Sequence, residues 1–514
     1  MTLQIITVLV SLLAMIIALI MDKMRPGMVL FSVIVVFMCM GIISPAEMLE
    51  GFSNKGMITI AMLFLVSEGV RRSGALSKVI KKLLPQRKTT VFRSMLSMLP
   101  TIAFISAFLN NTPVVVIFAP IIKRWANYFK TPATYYLIPL SYATILGGIC
   151  TLIGTSTNLV VHSMMQDVGL PGFGMFELGK VGIFIALTGI IYLFIFAKHL
   201  LPNERPDSPS DENEEDAPFQ PTEVVIGARF PGINRKIKDF DFQRHYGAEI
   251  KELRRSGNIY TNFKEMRFRE NDTLVVIADN TFIKAWGEST VFIIISNKED
   301  SEPIGKKRRW FAIIMLLIMI IGATIGEMPG IQRLMPEDIK LDMFFFVAVT
   351  TVLMAWTRMF PARKYTKFIS WDILITIACA FGISKAMSNS GFADMLASFI
   401  INLSHSYGPY VLLAVMFVIT NIFTELITNN AAAALSFPIA LSISQQLGAS
   451  PMPFFVVICM AASASFCTPI GYQTNLIVQG IGNYKFTDFL RIGLPLNIIT
   501  FLISIFVIPQ IWPF

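Results

Sequence analysis

The chain has 514 residues, of which 54% are hydrophobic and only 15% charged, and its mean hydropathy is +0.62. Soluble domains carry about 25% charged residues, so this composition excludes a soluble globular enzyme and predicts a polytopic membrane protein. The net charge of +9 does not indicate nucleic acid, because Lys and Arg gather in short segments between apolar runs.

Apolar runs recur near 3–20, 27–43, 57–69, 180–197, 310–322, 342–356, 370–387 and 489–511. Each is close to the length that crosses a hydrocarbon core of about 30 Å. The first lacks a basic n-region and a small-residue cleavage site, which predicts a span and not a signal peptide. Composition changes after His199. Residues 203–220, NERPDSPSDENEEDAPFQ, are acidic and rich in Pro and Ser, as a flexible linker is. TEVVIGARF, AEIKELRR and DTLVVIAD then alternate with turn signals at Pro231-Gly232 and Asn271-Asp272, which predicts a small α+β module. GKKRRW at 305–310 returns the chain to the membrane. The expected organisation is a first membrane repeat over 1–200, an acidic linker over 201–220, the module over 221–298, a basic return segment over 299–308 and a second repeat over 309–514.

Basic residues set the expected topology. Arg71, Arg72, Lys78, Lys81, Lys82, Arg87 and Lys88 follow the third span, and Lys123, Arg124 and Lys130 precede the next. Lys306, Lys307, Arg308 and Arg309 precede the second half, and Arg358, Arg363, Lys364 and Lys367 lie between later spans. The loops at 44–56, 162–179 and 389–408 hold a single Lys or Arg, Lys55. Placing the basic segments in the cytoplasm puts the module inside and both termini outside.

One polar phrase occurs twice. CTLIGTSTNLVV at 150–161 and CTPIGYQTNLIV at 467–478 agree at eight of twelve positions, 317 residues apart. VSEGVRRSG at 66–74 answers to ISKAMSNSG at 383–391 with the same offset, and AFLNNTPVVVIFAP at 107–120 answers to LITNNAAAALSFP at 426–438. Each half is expected to make five crossings and one hairpin. Five is odd, so the second copy is expected upside down, with a site where the repeats meet near the midplane. A Gly-Thr-Ser-Thr-Asn or Gly-Tyr-Gln-Thr-Asn interruption frees backbone groups at depth, which is tolerated where they face a cavity or an ion. Isolated Thr, Asn and Gly often serve only as helix-packing glue. A paired Thr-Asn after Ile-Gly, twice, with an Asn-Asn partner upstream, twice, favours a binding role.

At these residues the chain resembles the divalent-anion:sodium symporters of the ion-transporter superfamily. The hairpin tips read Asn110-Asn111-Thr112 and Asn429-Asn430-Ala431, and the unwound spans read Gly154-Thr155-Ser156-Thr157-Asn158 and Gly471-Tyr472-Gln473-Thr474-Asn475. The resemblance covers both membrane halves. It implies an all-α polytopic membrane protein built of two inverted-topology repeats with re-entrant hairpins and unwound helices, beside a small cytoplasmic α+β domain. It also implies an elevator-type carrier in a bacterial inner membrane, with Na+ as the coupling ion and no organic cofactor. Carried over residue by residue, Ser106, Asn110, Asn111, Gly154 and Asn158 form one Na+ site. Glu425, Thr428, Asn430, Gly471 and Asn475 form the second. Asn111, Thr112, Asn430, Thr155 and Thr474 touch the anion.

Three positions depart from the family pattern. Tip 1 has Asn110 where Ser is common, followed by Pro113; tip 2 has Ala431 where Thr is common; and Glu425 stands where Ser106 stands in the first copy. With these departures the chain resembles the branch of the family assigned to sulfate and related oxyanions, which implies a sulfate-like oxyanion over a dicarboxylate. The inserted segment resembles the C-terminal half of potassium-transport regulator domains through EVVIGARFPGINRKIKD at 223–239, GAEIKELRRSG at 247–257 and FRENDTLVVIADN at 268–280. That likeness implies a homodimer and admits a nucleotide effector such as cyclic di-AMP.

An acid inside an apolar segment is costly and defaults to function. Glu425 is therefore read as a Na+ ligand, or as a structural acid held by backbone amides. A Na+/H+ antiporter or arsenite-type carrier in which Glu425 shuttles protons is the alternative. A gated channel would need a filter, and no Thr-Val-Gly-Tyr-Gly occurs. Glu68 and Lys385 are repeat mates near span ends and are read as scaffold. The four histidines and five cysteines show no metal-ligand spacing. No P-loop, Ser-His-Asp set or dinucleotide fingerprint is present, so neither an ATPase nor a hydrolase is supported.

Overall fold

The computed structural model describes residues 3–203 except 22, 86 and 88; 220–278 except 228, 256 and 257; 282, 286 and 291–294; and 306–326, 328, 331, 340–403 and 408–514. Most of the acidic linker and of the basic return segment lies outside these residues. The first half runs α1 (Leu3–Ile20), α2 (Pro26–Cys39), α3 (Pro45–Ser53), α4 (Lys55–Arg72) and α5 (Ala75–Leu83). It continues through α6 (Val91–Ser106), α7 (Asn111–Tyr128), α8 (Thr134–Gly148), α9 (Ser156–Asp167) and α10 (Gly179–Leu200). Local chemistry sets several starts. Ser44 and Glu47 close a capping box on α3, Asn54 caps α4 and Thr90 caps α6.

Among its described residues the module holds the short helix α11 (Phe242–Tyr246) and five strands: β1 (Gln220–Ile226), β2 (Ala248–Arg255), β3 (Asn258–Tyr260), β4 (Thr273–Ala278) and β5 (Phe292–Ile294). They form one antiparallel sheet in the order β3-β2-β4-β1-β5. Phe230, Phe240, Phe242, Phe268 and Phe292 fill a separate aromatic core beneath it. The three β-rich segments read from the sequence are strands β1, β2 and β4.

The second half runs α12 (Lys306–Gly326), α13 (Met343–Trp356), α14 (Trp371–Asn389), α15 (Phe392–Leu403) and α16 (Pro409–Leu426). It ends with α17 (Asn429–Leu447), α18 (Met452–Ser463), α19 (Gln473–Gly482) and α20 (Phe486–Ile511). Among the described residues, seven helical segments are long and apolar enough to cross a membrane. Large apolar side chains stand exposed along α1, α10, α12 and α20, as they do on a surface solvated by lipid and not water.

Packing repeats between the halves. α6 lies on α8, and α16 on α18. Across the halves, α7 lies on α19 while α17 lies on α9, and α13 lies on α4 while α2 lies on α14. The last helices of the two halves, α10 and α20, pack on each other. Exchanging the halves therefore maps the earlier contacts onto one another in pairs and the α10–α20 contact onto itself.

One basic residue departs from the sequence reading. Lys123 is expected in a solvated cytoplasmic segment, but it lies within α7 and is 5% exposed. Its ammonium is taken up by the module, through Glu223 of β1.

Candidate ion and anion site between two hairpins and two broken helices

Two hairpins and two interrupted helices supply the site. In hairpin 1, α6 ends at Ser106 and α7 begins at Asn111; in hairpin 2, α16 ends at Leu426 and α17 begins at Asn429. Helix α8 stops at Gly148 and α9 starts at Ser156, which leaves break 1; α18 stops at Ser463 and α19 starts at Gln473, which leaves break 2. At about 1.5 Å per residue, α8 is about 22 Å long and α18 about 18 Å, so neither spans a bilayer alone.

Each break is tied by the same side chains. Thr151 Oγ1 accepts from the Gly154 N–H at 3.1 Å, and Thr468 Oγ1 accepts from the Gly471 N–H at 3.3 Å. Asn158 Nδ2 donates to the Thr151 carbonyl at 2.9 Å, and Asn475 Nδ2 to the Thr468 carbonyl at 3.2 Å. The two threonines also fasten each break to its hairpin. Thr151 Oγ1 donates to the Ala107 carbonyl, and Thr468 Oγ1 to the Glu425 carbonyl at 3.2 Å. Orphan groups of the broken helices are thereby satisfied away from water. Thr151 and Thr468 are repeat mates that sequence reasoning assigned no role. Their identity in both copies was the available signal.

Each tip then reaches the other half. Ser106 Oγ donates to Asn111 Oδ1 at 2.7 Å, which turns the Asn111 amide outward, and Asn111 Nδ2 donates to Tyr472 Oη at 2.7 Å. Thr112 Oγ1 donates to Gln473 Oε1 at 3.2 Å. From the other direction, Asn430 Oδ1 accepts from Ser156 Oγ at 2.9 Å, and Asn429 Nδ2 donates to Thr157 Oγ1 at 2.8 Å. Thr155 and Tyr472, the two members of one repeat position, meet at 3.0 Å between hydroxyls. Tip 1 therefore contacts break 2, tip 2 contacts break 1, and the breaks touch at the middle.

The expected site residues divide accordingly. Ser106, Asn111, Thr112, Thr155 and Asn430 belong to this meeting. Asn110 and Ser156 flank a cavity walled by Leu63, Val66, Leu316 and Met319. Thr428 caps α17 by accepting from the Ala431 N–H. Gly154 and Gly471 lie in the breaks. Thr474 and Asn475 turn to α8, where Ser141 Oγ donates to Asn475 Oδ1 at 2.7 Å and meets Thr474 Oγ1 at 2.9 Å. Asn158 Oδ1, by contrast, is buried with no hydrogen-bond partner. Ser156, Thr157, Asn429, Tyr472 and Gln473 also join the meeting, although none was assigned a role from sequence.

Glu425 lies against break 2. Oε1 accepts from the Cys467 N–H at 2.8 Å and Asn497 Nδ2 at 3.0 Å; Oε2 accepts from the Thr468 N–H at 2.9 Å and Ser465 Oγ at 3.4 Å. Two backbone N–H groups, an amide and a hydroxyl hold the carboxyl, as a structural acid held by backbone amides is held. Glu68, its scaffold role also expected, pairs with Arg71 and Arg72 on its own helix.

Buried hairpins that trade contacts with opposed helix breaks define a multi-pass membrane transporter. The family described as citrate transporter matches residues 16–437 and 334–514, and the chain belongs to that family. An uncharacterized transporter of Synechocystis sp. is 28% identical over 559 residues, covering 91% of this chain and 90% of that protein. Sodium/sulfate cotransporter 1 of Chlamydomonas reinhardtii is 26% identical over 288 residues, covering 56% of this chain and 32% of that protein. Solute carrier family 13 member 2 of Mus musculus is 26% identical over 218 residues, covering 42% of this chain and 34% of that protein.

Proposed function

We propose that the protein is a Na+-coupled symporter of a small divalent oxyanion of the sulfate type, working by elevator-type alternating access in a bacterial inner membrane. The observation that carries this reading is the reciprocal meeting of each hairpin tip with the opposite break. The side chains that meet there are amides and hydroxyls, and none is cationic. Neutral donors orient a dianion but do not cancel its charge, and an uncompensated charge is costly at this depth. Cations travelling with the anion remove that cost. Oxygen ligands suit Na+, and each break offers them.

The first Na+ is assigned to Ser106, Asn110, Asn111, Asn158 and the Gly154 backbone, where Asn158 Oδ1 is the unpartnered oxygen. The second is assigned to Thr428, Asn430, Asn475 and the Gly471 backbone, with Glu425 contributing its negative charge from across break 2. The anion is assigned to Asn111, Thr112, Thr155, Asn430 and Thr474. A sulfate-type substrate is favoured by Ala431, which lacks the hydroxyl of Thr112 at the matching tip, and by the names of the Chlamydomonas relatives. The two halves are inverted relative to each other, and the 221–298 module lies in the cytoplasm, where it modulates the carrier.

The test is uptake of radiolabelled sulfate and succinate into proteoliposomes under an inward Na+ gradient, with choline replacing Na+ as control. Sulfate uptake that needs Na+ is expected, with succinate carried less well. Uptake indifferent to Na+, or driven by a proton gradient alone, overturns the coupling.

A further inference from the structure

We infer that Tyr472 sets the length of the anion that the carrier accepts, an inference that rests on the symporter reading above. Its position is occupied by Thr155 in the first copy, 317 residues earlier. One copy thus places a short hydroxyl at the centre and the other a phenol. Tyr472 is buried, and its hydroxyl lies 2.7 Å from Asn111 Nδ2 and 3.0 Å from Thr155 Oγ1. The side chain therefore starts in break 2, crosses the midline and ends on its own repeat mate in break 1. A pair of threonines at these positions would leave the intervening space open; the aromatic ring fills it.

The chemistry of the phenol fits this placement. As an acceptor it takes one N–H of the Asn111 amide and leaves the other for an anion oxygen; as a donor it can be offered to the anion or to Thr155. A compact tetrahedral oxyanion needs donors converging on one point. A dicarboxylate needs donors at two separated points, with room between them for its carbon chain. Tyr472 keeps the Asn111 and Thr155 donors converged and occupies the volume that a longer chain would use. Steric exclusion by a buried ring is stiff, because its neighbours are close-packed.

The experiment compares wild type, Tyr472→Thr and Tyr472→Phe for Na+-dependent sulfate and succinate uptake in proteoliposomes. Tyr472→Thr restores the first copy's residue and is expected to lower the sulfate-to-succinate preference at least tenfold. Tyr472→Phe keeps the ring and removes the hydroxyl. It is expected to raise the KM for sulfate severalfold while leaving succinate uptake as low as in the wild type. A preference unchanged in Tyr472→Thr, or lost equally in Tyr472→Phe, overturns the inference. A second measurement needs only the wild type: unlabelled malonate, succinate and glutarate compete against labelled sulfate, and inhibition is expected to fall with chain length. Inhibition that rises with length overturns the inference as well. Failure of the symporter reading is seen separately, as wild-type sulfate uptake that ignores Na+.

Discussion

Thr151, Gly154 and Asn158, with Thr468, Gly471 and Asn475, show why one phrase is written twice. In each copy the threonine hydroxyl receives the glycine N–H, and the asparagine amide donates to the threonine carbonyl. The same three residues perform the same closure, so they are identical. Two of the four differing positions, Thr155/Tyr472 and Ser156/Gln473, are where the breaks face the opposite half, and there the copies meet different partners. The asparagines also diverge at one atom. Asn475 Oδ1 is taken by Ser141, whereas Asn158 Oδ1 is buried without a partner. An unmet buried acceptor costs about 1–3 kcal/mol, and a Na+ bound there would recover it. Asn158→Ala is therefore expected to raise the Na+ concentration for half-maximal uptake by about tenfold, equivalent to about 1.4 kcal/mol. Asn475→Ala removes the matching amide bond in the second Na+ site, where Oδ1 is already met by Ser141, and is expected to give a smaller shift. Na+ titration of uptake in both variants checks this; equal shifts would remove the special standing of Asn158.

Helices α7 and α19 begin at the site and end under the module. α7 starts at Asn111 and carries Lys123 three turns on; α19 starts at Gln473 and ends at Gly482. Lys123 Nζ donates to Glu223 Oε2 at 2.8 Å and to the Ile481 carbonyl at 3.1 Å, while Arg254 holds the other Glu223 oxygen at 2.7 Å. Thr273 Oγ1 donates to the Gly480 carbonyl at 2.7 Å. Of the last carbonyls of α19, which a helix end leaves open, the module thus reaches that of Gly480 and Lys123 of α7 reaches that of Ile481. Approach is close enough that a Cβ on Gly480 would stand 2.5 Å from the Asn271 carbonyl oxygen. Gly480→Ala is expected to loosen the module without touching the site, read as faster amide exchange in β4 and the end of α19. Lys123→Met removes one partner of a largely buried pair, for which a loss on the order of 3 kcal/mol is typical. Burial pushes the Glu223 carboxyl up, but Lys123 and Arg254 outweigh it and hold its pKa below the usual value. Its contribution to docking is therefore present at neutral pH and is lost only as acid takes the pH down through that lowered pKa. Unchanged exchange in both variants would mean that the interface is not held by these contacts. None of this docking was legible in the sequence. The hairpins, breaks and strands were, because periodicity and repetition are local. Lys123 looked like any other basic residue near a span end, and its partner lies 100 residues away.

The expected arrangement of the whole molecule turns on an odd number of passages. Among the described residues, each half is expected to make five passages, counting each broken helix once, and one hairpin. If the hairpins enter and leave on one side, the halves face opposite ways, and the module between them shares a side with the basic segments. Exposed positions on the two expected sides are available: His245 in the module and Glu50 at the end of α3. A cysteine at His245 is expected to react only with reagents that reach the cytoplasm, and one at Glu50 only with external reagents, measured against the native cysteines as background. Equal accessibility would refute the inverted arrangement. The same geometry predicts what the module does. Because it grips α7 from the first half and α19 from the second, it bridges two helices that carry opposite sides of the site. It biases the carrier only if it binds the inward and outward states unequally. Replacing residues 205–304 with a flexible linker is therefore expected to preserve Na+-dependent uptake and change its maximal rate, since tip 1 and break 2 keep their contacts with each other. Gly480→Ala should move the rate in the same direction as the deletion, because both release the same two helices. Opposite effects of the two changes would show that docking is not the route, and complete loss of transport in a folded, membrane-inserted deletion would make the module a structural part of the carrier.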